Sequence, residues 1–214
     1  VLDREPEMML YAGASTSSSV TVKTDSGGPT MDTQASGASG AMSDCLDATC
    51  RITAADNGRG TGCVFEINQG HVYVLTAAHV VGDNPAVRCE FWRGGHQSQP
   101  LSGQVLSRVL QNDVDAAVIT IPASAFGGIL PSVVPVAAPD FVLRPGDTIT
   151  SVGCANGNWS TGWKGHVLGY SGAHLEFVPS PAQGRSGSAV FDADATRIVG
   201  VIRARTIDNQ QGLA

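Results

Sequence analysis

The chain has 214 residues, 42% of them hydrophobic and 15% charged, and this length can bury the core of one large or two small domains. Its net charge of −6 argues against a nucleic-acid-binding surface, which needs clustered lysine and arginine side chains. No apolar run approaches the roughly 20 residues that a membrane-spanning helix requires, so we expect no membrane span.

Residues 1–44 differ in composition from the rest of the chain. From Gly13 to Ser43 the sequence is dominated by Ser, Thr, Gly and Ala, with hardly a side chain large enough to anchor a fold. We therefore expect a flexible leader or linker over 1–44, in which residues 20–22 could pair briefly as a strand. The apolar stretch at 8–11 is either a docking segment or, as we expect, a solvent-exposed tail.

From Cys50 onward, short apolar strands alternate with Gly, Asn, Asp and Pro, a pattern typical of an all-β barrel or sandwich. A Pro- and Gly-rich connection over 122–139 separates six predicted strands from five. The predicted strands are 50–54, 61–67, 71–75, 86–92, 103–110 and 116–121, then 148–154, 163–170, 174–178, 188–191 and 197–204. We expect one domain over 45–214, made of two packed antiparallel barrels at about 48–122 and 140–214. The last strand would begin at Gly212 and be cut short at the end of the chain.

Two titratable residues stand at the ends of predicted strands in the first half. His79 follows the third strand, and a histidine suits the role of a general base because its pKa lies near neutrality. By itself it could equally be an ordinary, partly buried histidine. Asp115 leads directly into the sixth strand, whereas we interpret Asp113, two residues earlier, as a turn residue.

A glycine-flanked serine precedes the tenth predicted strand. Gly184 can turn the backbone so that its own N–H and that of Ser186 converge, and Gly187 leaves no side chain to block a substrate carbonyl. Alone, this segment could be a Gly- and Ser-rich turn between two strands. Its occurrence after His79 and Asp115 favours a nucleophile.

These motifs, in this order, resemble those of the trypsin/chymotrypsin-like serine peptidases. They are Thr-Ala-Ala-His ending at His79, Asp-Ala-Ala-Val beginning at Asp115, and Gly-Arg-Ser-Gly-Ser-Ala around Ser186. The resemblance covers about residues 50–214. Gly-Thr-Gly-Cys-Val-Phe at 60–65 makes the chain more similar to the bacterial Deg/HtrA-like and glutamyl-endopeptidase-like branches than to digestive trypsins.

The resemblance implies a chymotrypsin-like fold of two six-stranded-type barrels, with the active site in the cleft between them. It implies that Ser186 is the nucleophile, His79 the general base and Asp115 the partner of the imidazole. The backbone N–H groups of Gly184 and Ser186 would form the oxyanion hole. The partner would be a protein or peptide substrate. Neither a cofactor nor a metal is required, and the His and Cys residues show no metal-ligand spacing.

Two residues depart from the pattern of animal trypsins. Val80 follows the histidine where trypsins have a cysteine, so the disulfide that braces their histidine loop is absent. Arg185 precedes the serine where trypsins have an aspartate that pairs with a new N-terminus. We therefore expect no activation by N-terminal insertion, and we expect the Arg185 side chain to reach either solvent or a carboxylate.

The substrate-binding residues follow from the same resemblance. Ser180 would lie at the base of the primary pocket beside Gln183, and without a carboxylate there we expect no cleavage after Lys or Arg. Arg203, Ala204 and Arg205 would form the strand that pairs with the substrate backbone. Small or medium apolar residues are the first expectation for the cleavage site, and acidic residues the second. The two arginines could equally be outward-facing strand positions.

Five cysteines cannot all pair within one chain. Cys45 and Cys50 could bridge, Cys50, Cys63 or Cys89 could join neighbouring strands, and Cys154 could be a buried thiol; reduced cysteines throughout are equally compatible. Although no signal peptide is present in the sequence, we expect an extracytoplasmic (secreted or periplasmic) location.

Two functions of different classes follow from the sequence. The first is a serine endopeptidase that acts through a Ser-His-Asp triad and an acyl-enzyme intermediate. The second is a catalytically silent module of the same fold that binds peptide or protein in the cleft. The presence of all three triad residues favours the first. The sequence does not indicate an oligomeric state.

Overall fold

The computed structural model describes residues 36–93, 96–111, 114–159, 162–205 and 211–214. It has two α-helices, α1 (Ser36–Ala48) and α2 (Ala78–Val81), and two short 3-10 turns at Ala123–Phe126 and Ala155–Gly157. The strands are β1 (Thr49–Ala54), β2 (Arg59–Asn68), β3 (His71–Thr76), β4 (Ala86–Arg93), β5 (His96–Gln97), β6 (Leu101–Gln111), β7 (Val114–Pro122), β8 (Thr148–Ser151), β9 (Trp163–Ser171), β10 (His174–Val178), β11 (Ala189–Phe191), β12 (Ile198–Val201), β13 (Ala204–Arg205) and β14 (Gly212–Leu213).

The first half forms a closed barrel. Its strands follow the order β1-β2-β3-β7-β6-β4, and β4 pairs again with β1, which closes the ring; β5 extends β4 as a short hairpin. Alternate side chains point inward, as the period of two in a strand requires. Ile52, Val64, Val74, Phe91 and Ile119 are fully buried inside it. The predicted antiparallel barrel over this part of the chain is confirmed.

The second half forms an antiparallel sheet of seven strands in the order β12-β11-β8-β9-β10-β14-β13. Ile149, Phe177 and Val190 are fully buried in its core. The predicted all-β fold is therefore confirmed, although the second half, predicted as a barrel, is an open antiparallel sheet over the described residues. Gly212 begins a strand as expected, and β14 pairs with both β10 and β13.

The connection between the two halves is held to both of them. The Val134 N–H donates to Val64 O of the barrel, at 3.0 Å. The Ala137 N–H donates to Ile198 O of the second sheet at 2.8 Å, and the Ile198 N–H donates to Pro135 O at the same distance. Because its backbone is hydrogen-bonded to each unit, this segment fixes one against the other.

Helix α1 is the main departure from the sequence prediction. It begins within the segment 1–44, of which residues 1–35 lie outside the described residues together with the predicted features at 8–11 and 20–22. Cys45 and Ala48 of the helix are fully buried against the barrel. Asp47 binds the Arg93 guanidinium at 3.2 Å and accepts the Ser132 N–H at 2.6 Å. The helix thus begins within the segment that the sequence predicted to be flexible, and its last turn packs on the barrel through two small side chains three positions apart.

Two predicted strands in the second half are shorter than expected. The strand predicted over 148–154 ends at Ser151, and residues 155–157 turn instead. The strand predicted over 197–204 is interrupted after Val201 and resumes at Ala204. After the first interruption the Asn156 N–H bonds to Gln183 O of the serine-bearing loop, and at the second Ile202 bonds to Gly187 and Ser188 of the same loop. All five cysteines are buried free thiols, so none of the possible bridges is formed.

Candidate active site

His79 and Asp115 are joined by two hydrogen bonds. The His79 Nδ1 lies 2.6 Å from Asp115 Oδ2, and the His79 backbone N–H donates to Asp115 Oδ1 at 3.0 Å. Strands β3 and β7 pair with Thr76 opposite Ala117, which places Asp115 beside the turn that leads into α2. Because one carboxylate holds both the ring and the backbone, the imidazole has a fixed orientation, with a proton on Nδ1 and Nε2 left to act as a base.

The surroundings of Asp115 keep it ionised. Its side chain is only 5% exposed, and burial by itself raises the pKa of the carboxyl. The hydrogen bonds from the His79 ring and from the His79 and Ala78 backbone N–H groups outweigh burial and lower the pKa below its ordinary value. Asp113, which the sequence assigned to a turn, lies outside the described residues.

The backbone of Ser186 lies close to the start of α2. The Thr61 N–H of β2 donates to Ser186 O at 2.8 Å. A Cβ on Gly60 would lie 2.7 Å from Ser186 O and 2.5 Å from Val80 Cγ2, so Gly60 fills the narrow space between them. The residue after His79 and the predicted nucleophile therefore contact the same glycine.

Gly187 brings the serine loop against the barrel from the other side. A Cβ there would lie 2.2 Å from both Thr61 O and Thr76 Oγ1, and the residue has φ +81°. Only glycine meets both conditions. Within the described part of the chain, no hydrogen bond joins the Ser186 hydroxyl to the His79 ring. Such bonds are often long or poorly aligned when no substrate is bound.

A tight turn presents the predicted oxyanion loop. The Arg185 N–H donates to Ala182 O at 3.3 Å, and Gly184 has φ +85°, which together describe a type II turn. The Asn156 N–H donates to Gln183 O at 2.7 Å. Because the two polar atoms of a trans peptide point in opposite directions, this bond directs the Gly184 N–H away from Asn156.

The two N–H groups predicted for the oxyanion hole are available. Among the residues that the structure describes, neither the Gly184 N–H nor the Ser186 N–H donates to a protein acceptor. A Cβ on Gly184 would lie 2.8 Å from Asn156 N and 2.9 Å from Cys154 O, so the loop packs directly on the 154–158 turn. Buried or half-buried backbone donors usually have acceptors, and their availability suits an anionic ligand.

Thr61 is a supporting residue that sequence analysis missed. Its hydroxyl accepts the Cys154 N–H at 3.0 Å and lies 3.4 Å from Gly184 O, so one barrel side chain contacts both the turn and the oxyanion loop. The Arg51 guanidinium of β1 donates to Gly157 O at 2.9 Å. The only signal in the sequence was the pair of glycines that flank Thr61, Gly60 and Gly62, which indicate that another backbone segment approaches closely here.

Arg185 is more buried than its charge led us to expect. The residue is only 4% exposed, so its side chain does not lie in solvent. Burial lowers the pKa of the guanidinium. Burial also raises the pKa of the neighbouring Cys154 thiol to about 11, so this cysteine is protonated at neutral pH and is a poor nucleophile.

The predicted substrate-binding residues surround the serine loop. The Gly187 N–H donates to Ile202 O at 2.7 Å and the Ile202 N–H to Ser188 O at 2.9 Å, so the segment that continues into β13 lies directly against the loop. Gln183 and Ala204 are exposed. The predicted roles of these residues in binding stay predictions, as does that of Arg205.

Two further side chains bear on the predicted specificity. Ser180 Oγ is buried and has no hydrogen-bond partner among the described residues. The Arg203 guanidinium contacts the His174 ring of β10. An arginine engaged in this way is a weaker candidate for an acidic substrate side chain than the sequence suggested.

No group of three or more His, Cys, Asp or Glu side chains in the described ranges could hold a metal ion. None of the helices described is long and apolar enough to cross a membrane.

Comparison with known proteins identifies the family. A family model described as a trypsin-like peptidase domain matches residues 60–201, well over half of the chain. No curated protein matches the chain significantly in sequence.

Several solved structures are similar in fold. The chain superimposes on Rv3671c from M. tuberculosis H37Rv in an inactive form with TM-score 0.63 at 19% identity, covering 81% of this chain and 82% of that one. It superimposes on the serine endoprotease from Yersinia pestis with TM-score 0.67 at 21% identity, covering 86% of this chain but only 63% of that one. At these identities the likeness concerns the fold, whereas the match over 60–201 concerns the sequence itself. The chain belongs to the family of trypsin-like peptidase domains.

Proposed function

We propose that this protein is a serine endopeptidase. The observation that carries the proposal is the double hydrogen bond between His79 and Asp115, together with a serine whose backbone is bonded to the neighbouring strand. A histidine oriented by a buried carboxylate has its second ring nitrogen available to accept a proton from a hydroxyl.

In this proposal Ser186 attacks the carbonyl carbon of the scissile bond. His79 Nε2 takes the hydroxyl proton and later delivers it to the leaving amine, and Asp115 stabilises the imidazolium that forms between these steps. Water then attacks the acyl-enzyme with His79 again as the base. The product acid leaves and the Ser186 hydroxyl is restored.

The oxyanion would bind to the backbone N–H groups of Gly184 and Ser186. Donors that are fixed in advance stabilise the developing charge without reorganisation, and the loss of one donor costs about 10²- to 10³-fold in rate in other enzymes. The bond from the Asn156 N–H to Gln183 O and the packing of Gly184 on the 154–158 turn support this role, because they restrict the peptide to one orientation.

The substrate would be a protein or peptide. With Ser180 and no carboxylate at the base of the predicted pocket, we propose cleavage after small or medium apolar residues instead of Lys or Arg. No cofactor or metal enters any step of this chemistry. An extracytoplasmic location, with the five buried thiols protected from solvent, remains part of the proposal.

Labelling with a fluorophosphonate tests the proposal. The reagent should attach covalently to Ser186, and Ser186→Ala and His79→Ala should each abolish labelling. Ser107→Ala and His71→Ala remove an exposed serine and an exposed histidine and should label as the parent chain does. Undiminished labelling of the folded Ser186→Ala variant would contradict the proposal.

One observation favours a second candidate function, a silent module that binds peptides in the cleft. Within the described residues the Ser186 hydroxyl is not hydrogen-bonded to His79, whereas a serine must form this bond in order to react. A well-folded chain that fails to react with the fluorophosphonate, yet binds a peptide as tightly as its Ser186→Ala variant does, would support this candidate.

A further inference from the structure

Three arginines surround a cavity on the outer face of the first barrel. The cavity has a volume of about 270 Å³ and is lined by Arg51, Thr53, Arg59, Arg88 and Gly157. We call it the arginine cavity. Three cationic side chains around one depression are unexpected in a protein whose net charge is −6.

Strand register explains how residues distant in sequence come together here. Thr53 of β1 is paired with Arg59 of β2 on one side and with Arg88 of β4 on the other. Directly opposite residues in antiparallel strands have Cβ atoms about 5 Å apart, so the two arginines flank Thr53 on the same face of the sheet. Arg51 lies two residues from Thr53 and therefore on this face as well.

The charge in the arginine cavity is only partly neutralised. Arg51 forms an ion pair with Glu90 at 2.9 Å. Arg59 and Arg88 are exposed and form no ion pair or hydrogen bond within the described part of the chain. Asp56, in the turn between β1 and β2, accepts the Gly58 N–H at 3.0 Å. Two positive charges thus remain available to an anionic group, which favours a ligand carrying carboxylates.

The arginine cavity borders the predicted catalytic groups. Thr61, whose N–H holds Ser186 O and whose hydroxyl contacts the oxyanion loop, lies two residues from Arg59 along β2. Two residues of a strand span about 7 Å. The opposite wall is Gly157, which follows the Asn156 that holds Gln183 O. A peptide lying across Ser186 can therefore reach the cavity within two or three residues.

The side of the scissile bond follows from the two neighbours of the serine loop. The segment at Ile202 that continues into β13 bonds to Gly187 and Ser188, and the substrate residues before the scissile bond are expected along it. The arginine cavity adjoins the loop through β2 and the 154–158 turn, away from these bonds. It is therefore placed to meet the residues after the scissile bond, on the leaving-group side.

We propose that the arginine cavity binds carboxylate side chains of the substrate two or three residues after the scissile bond, so that the enzyme selects substrates with an acidic segment there. The inference rests on the proposed peptidase function. Each exposed ion pair changes affinity only a few-fold, so two arginines together predict a preference of about tenfold.

The test uses pairs of fluorogenic peptides that differ only in Glu or Gln at the second and third positions after the scissile bond. The parent chain should cleave the Glu peptide with a kcat/KM about tenfold higher than the Gln peptide. The ratio should shrink as salt is raised from 0.01 M to 1 M, since the Debye length falls from about 30 Å to about 3 Å. A third peptide, with Glu moved to the acyl side of the scissile bond, should be cleaved no faster than the Gln peptide.

Variants separate recognition from folding. In R59Q/R88Q the ratio of kcat/KM between the Glu and Gln peptides should fall to about 1. In R59E/R88E the preference should invert, so that a peptide with Lys at these positions is cleaved faster than the Glu peptide. R144Q removes an exposed arginine from the second half and should keep the parent ratio. Inversion in the charge-reversed variant is a result that loss of structure cannot produce.

Three results would overturn the inference while leaving the peptidase function intact. They are equal cleavage of the Glu and Gln peptides, a preference that survives in R59Q/R88Q, and a preference confined to the acyl side. If no peptide were cut and no fluorophosphonate bound, the proposed function itself would fail. Fluorescence anisotropy with the Ser186→Ala variant would then test the arginine cavity without any chemistry. Tighter binding of the Glu peptide than of the Gln peptide is expected, and equal binding would contradict the inference.

Discussion

The two halves of the molecule contribute to the candidate site in different ways. His79 and Asp115 belong to adjoining parts of a closed barrel and are fixed by strand register and by two hydrogen bonds. Ser186 lies in a loop whose shape depends on positive φ angles at Gly184 and Gly187 and on contacts with the other half. The proposed base is therefore prearranged by one unit alone, whereas the proposed nucleophile and oxyanion donors require both units.

The largest effect is expected from Asp115→Asn, which removes the barrel's contribution to the site, the fixed orientation of His79. The amide keeps the shape of the carboxylate but can hold the wrong tautomer of His79, so kcat for peptide cleavage should fall by about 10⁴-fold while the fold persists. Steady-state kinetics measures this loss. Asp140→Asn, at an exposed site, is the matched control. A variant that retained a tenth of the parent activity would refute the assigned role of Asp115.

Gly187→Ala should remove the contribution of the serine-bearing loop, which holds Ser186 against the barrel. The new Cβ would lie 2.2 Å from Thr61 O and Thr76 Oγ1, so the loop must move away from the barrel. We expect a loss of about 3 kcal/mol or more in the free energy of unfolding, with fluorophosphonate labelling nearly abolished. Urea denaturation and labelling rates measure the two effects.

A matched glycine separates the clash from the backbone strain. Gly128 has φ +94° and open space where a Cβ would be added. Gly128→Ala therefore introduces strain without a clash and should cost about 1 kcal/mol with labelling unchanged. Equal effects of the two substitutions would show that the contact at Gly187 is unimportant.

Thr61→Val sharpens the comparison, because it weakens the link between the halves without touching the predicted triad. It leaves the buried Cys154 N–H without its acceptor, which should cost about 1–3 kcal/mol in the free energy of unfolding and lower kcat/KM. Thr49→Val removes another buried hydroxyl, bonded to Cys45 O at 2.6 Å, and should lower stability without affecting cleavage. If both variants kept full activity, Thr61 would have no positioning role.

The smallest effect concerns acid stability within the first half. The hydrogen bonds to Asp115 lower its pKa in the folded chain, so the unfolded chain takes up this proton first as the pH falls. The stability that Asp115 contributes is present above its ordinary pKa of 3.8 and is lost as the pH falls below it. Urea midpoints between pH 6 and pH 2.5 should therefore fall more steeply for the parent chain than for Asp115→Asn. Parallel curves would exclude this contribution.

The sequence predicted the parts of the site that are local. His79 and Asp115 each adjoin an apolar strand, and Ser186 sits between glycines, so short motifs were sufficient to single them out. The two-unit β architecture followed from strand spacing in the same way.

The supporting contacts could not be predicted because they join distant segments. Thr61 meets Cys154 and Gly184 through hydrogen bonds that leave no pattern in either segment. The arginine cavity exists only because strand register aligns Arg59 and Arg88, 29 positions apart, on either side of one threonine. Helix α1 was missed because its Ser- and Gly-rich composition conceals two small buried residues, and the burial of Arg185 was missed because charge favours solvent.

The five enclosed thiols give the protein an internal reporter of opening. Burial raises the pKa of the Cys45 thiol to about 12 and that of Cys154 to about 11, so neither reacts readily with alkylating agents while it is covered. Cys45 belongs to α1 and is buried between this helix and the barrel, and Cys154 lies beneath the predicted oxyanion loop. The rate at which each thiol is alkylated under native conditions therefore reports how often α1 leaves the barrel and how often the two halves separate.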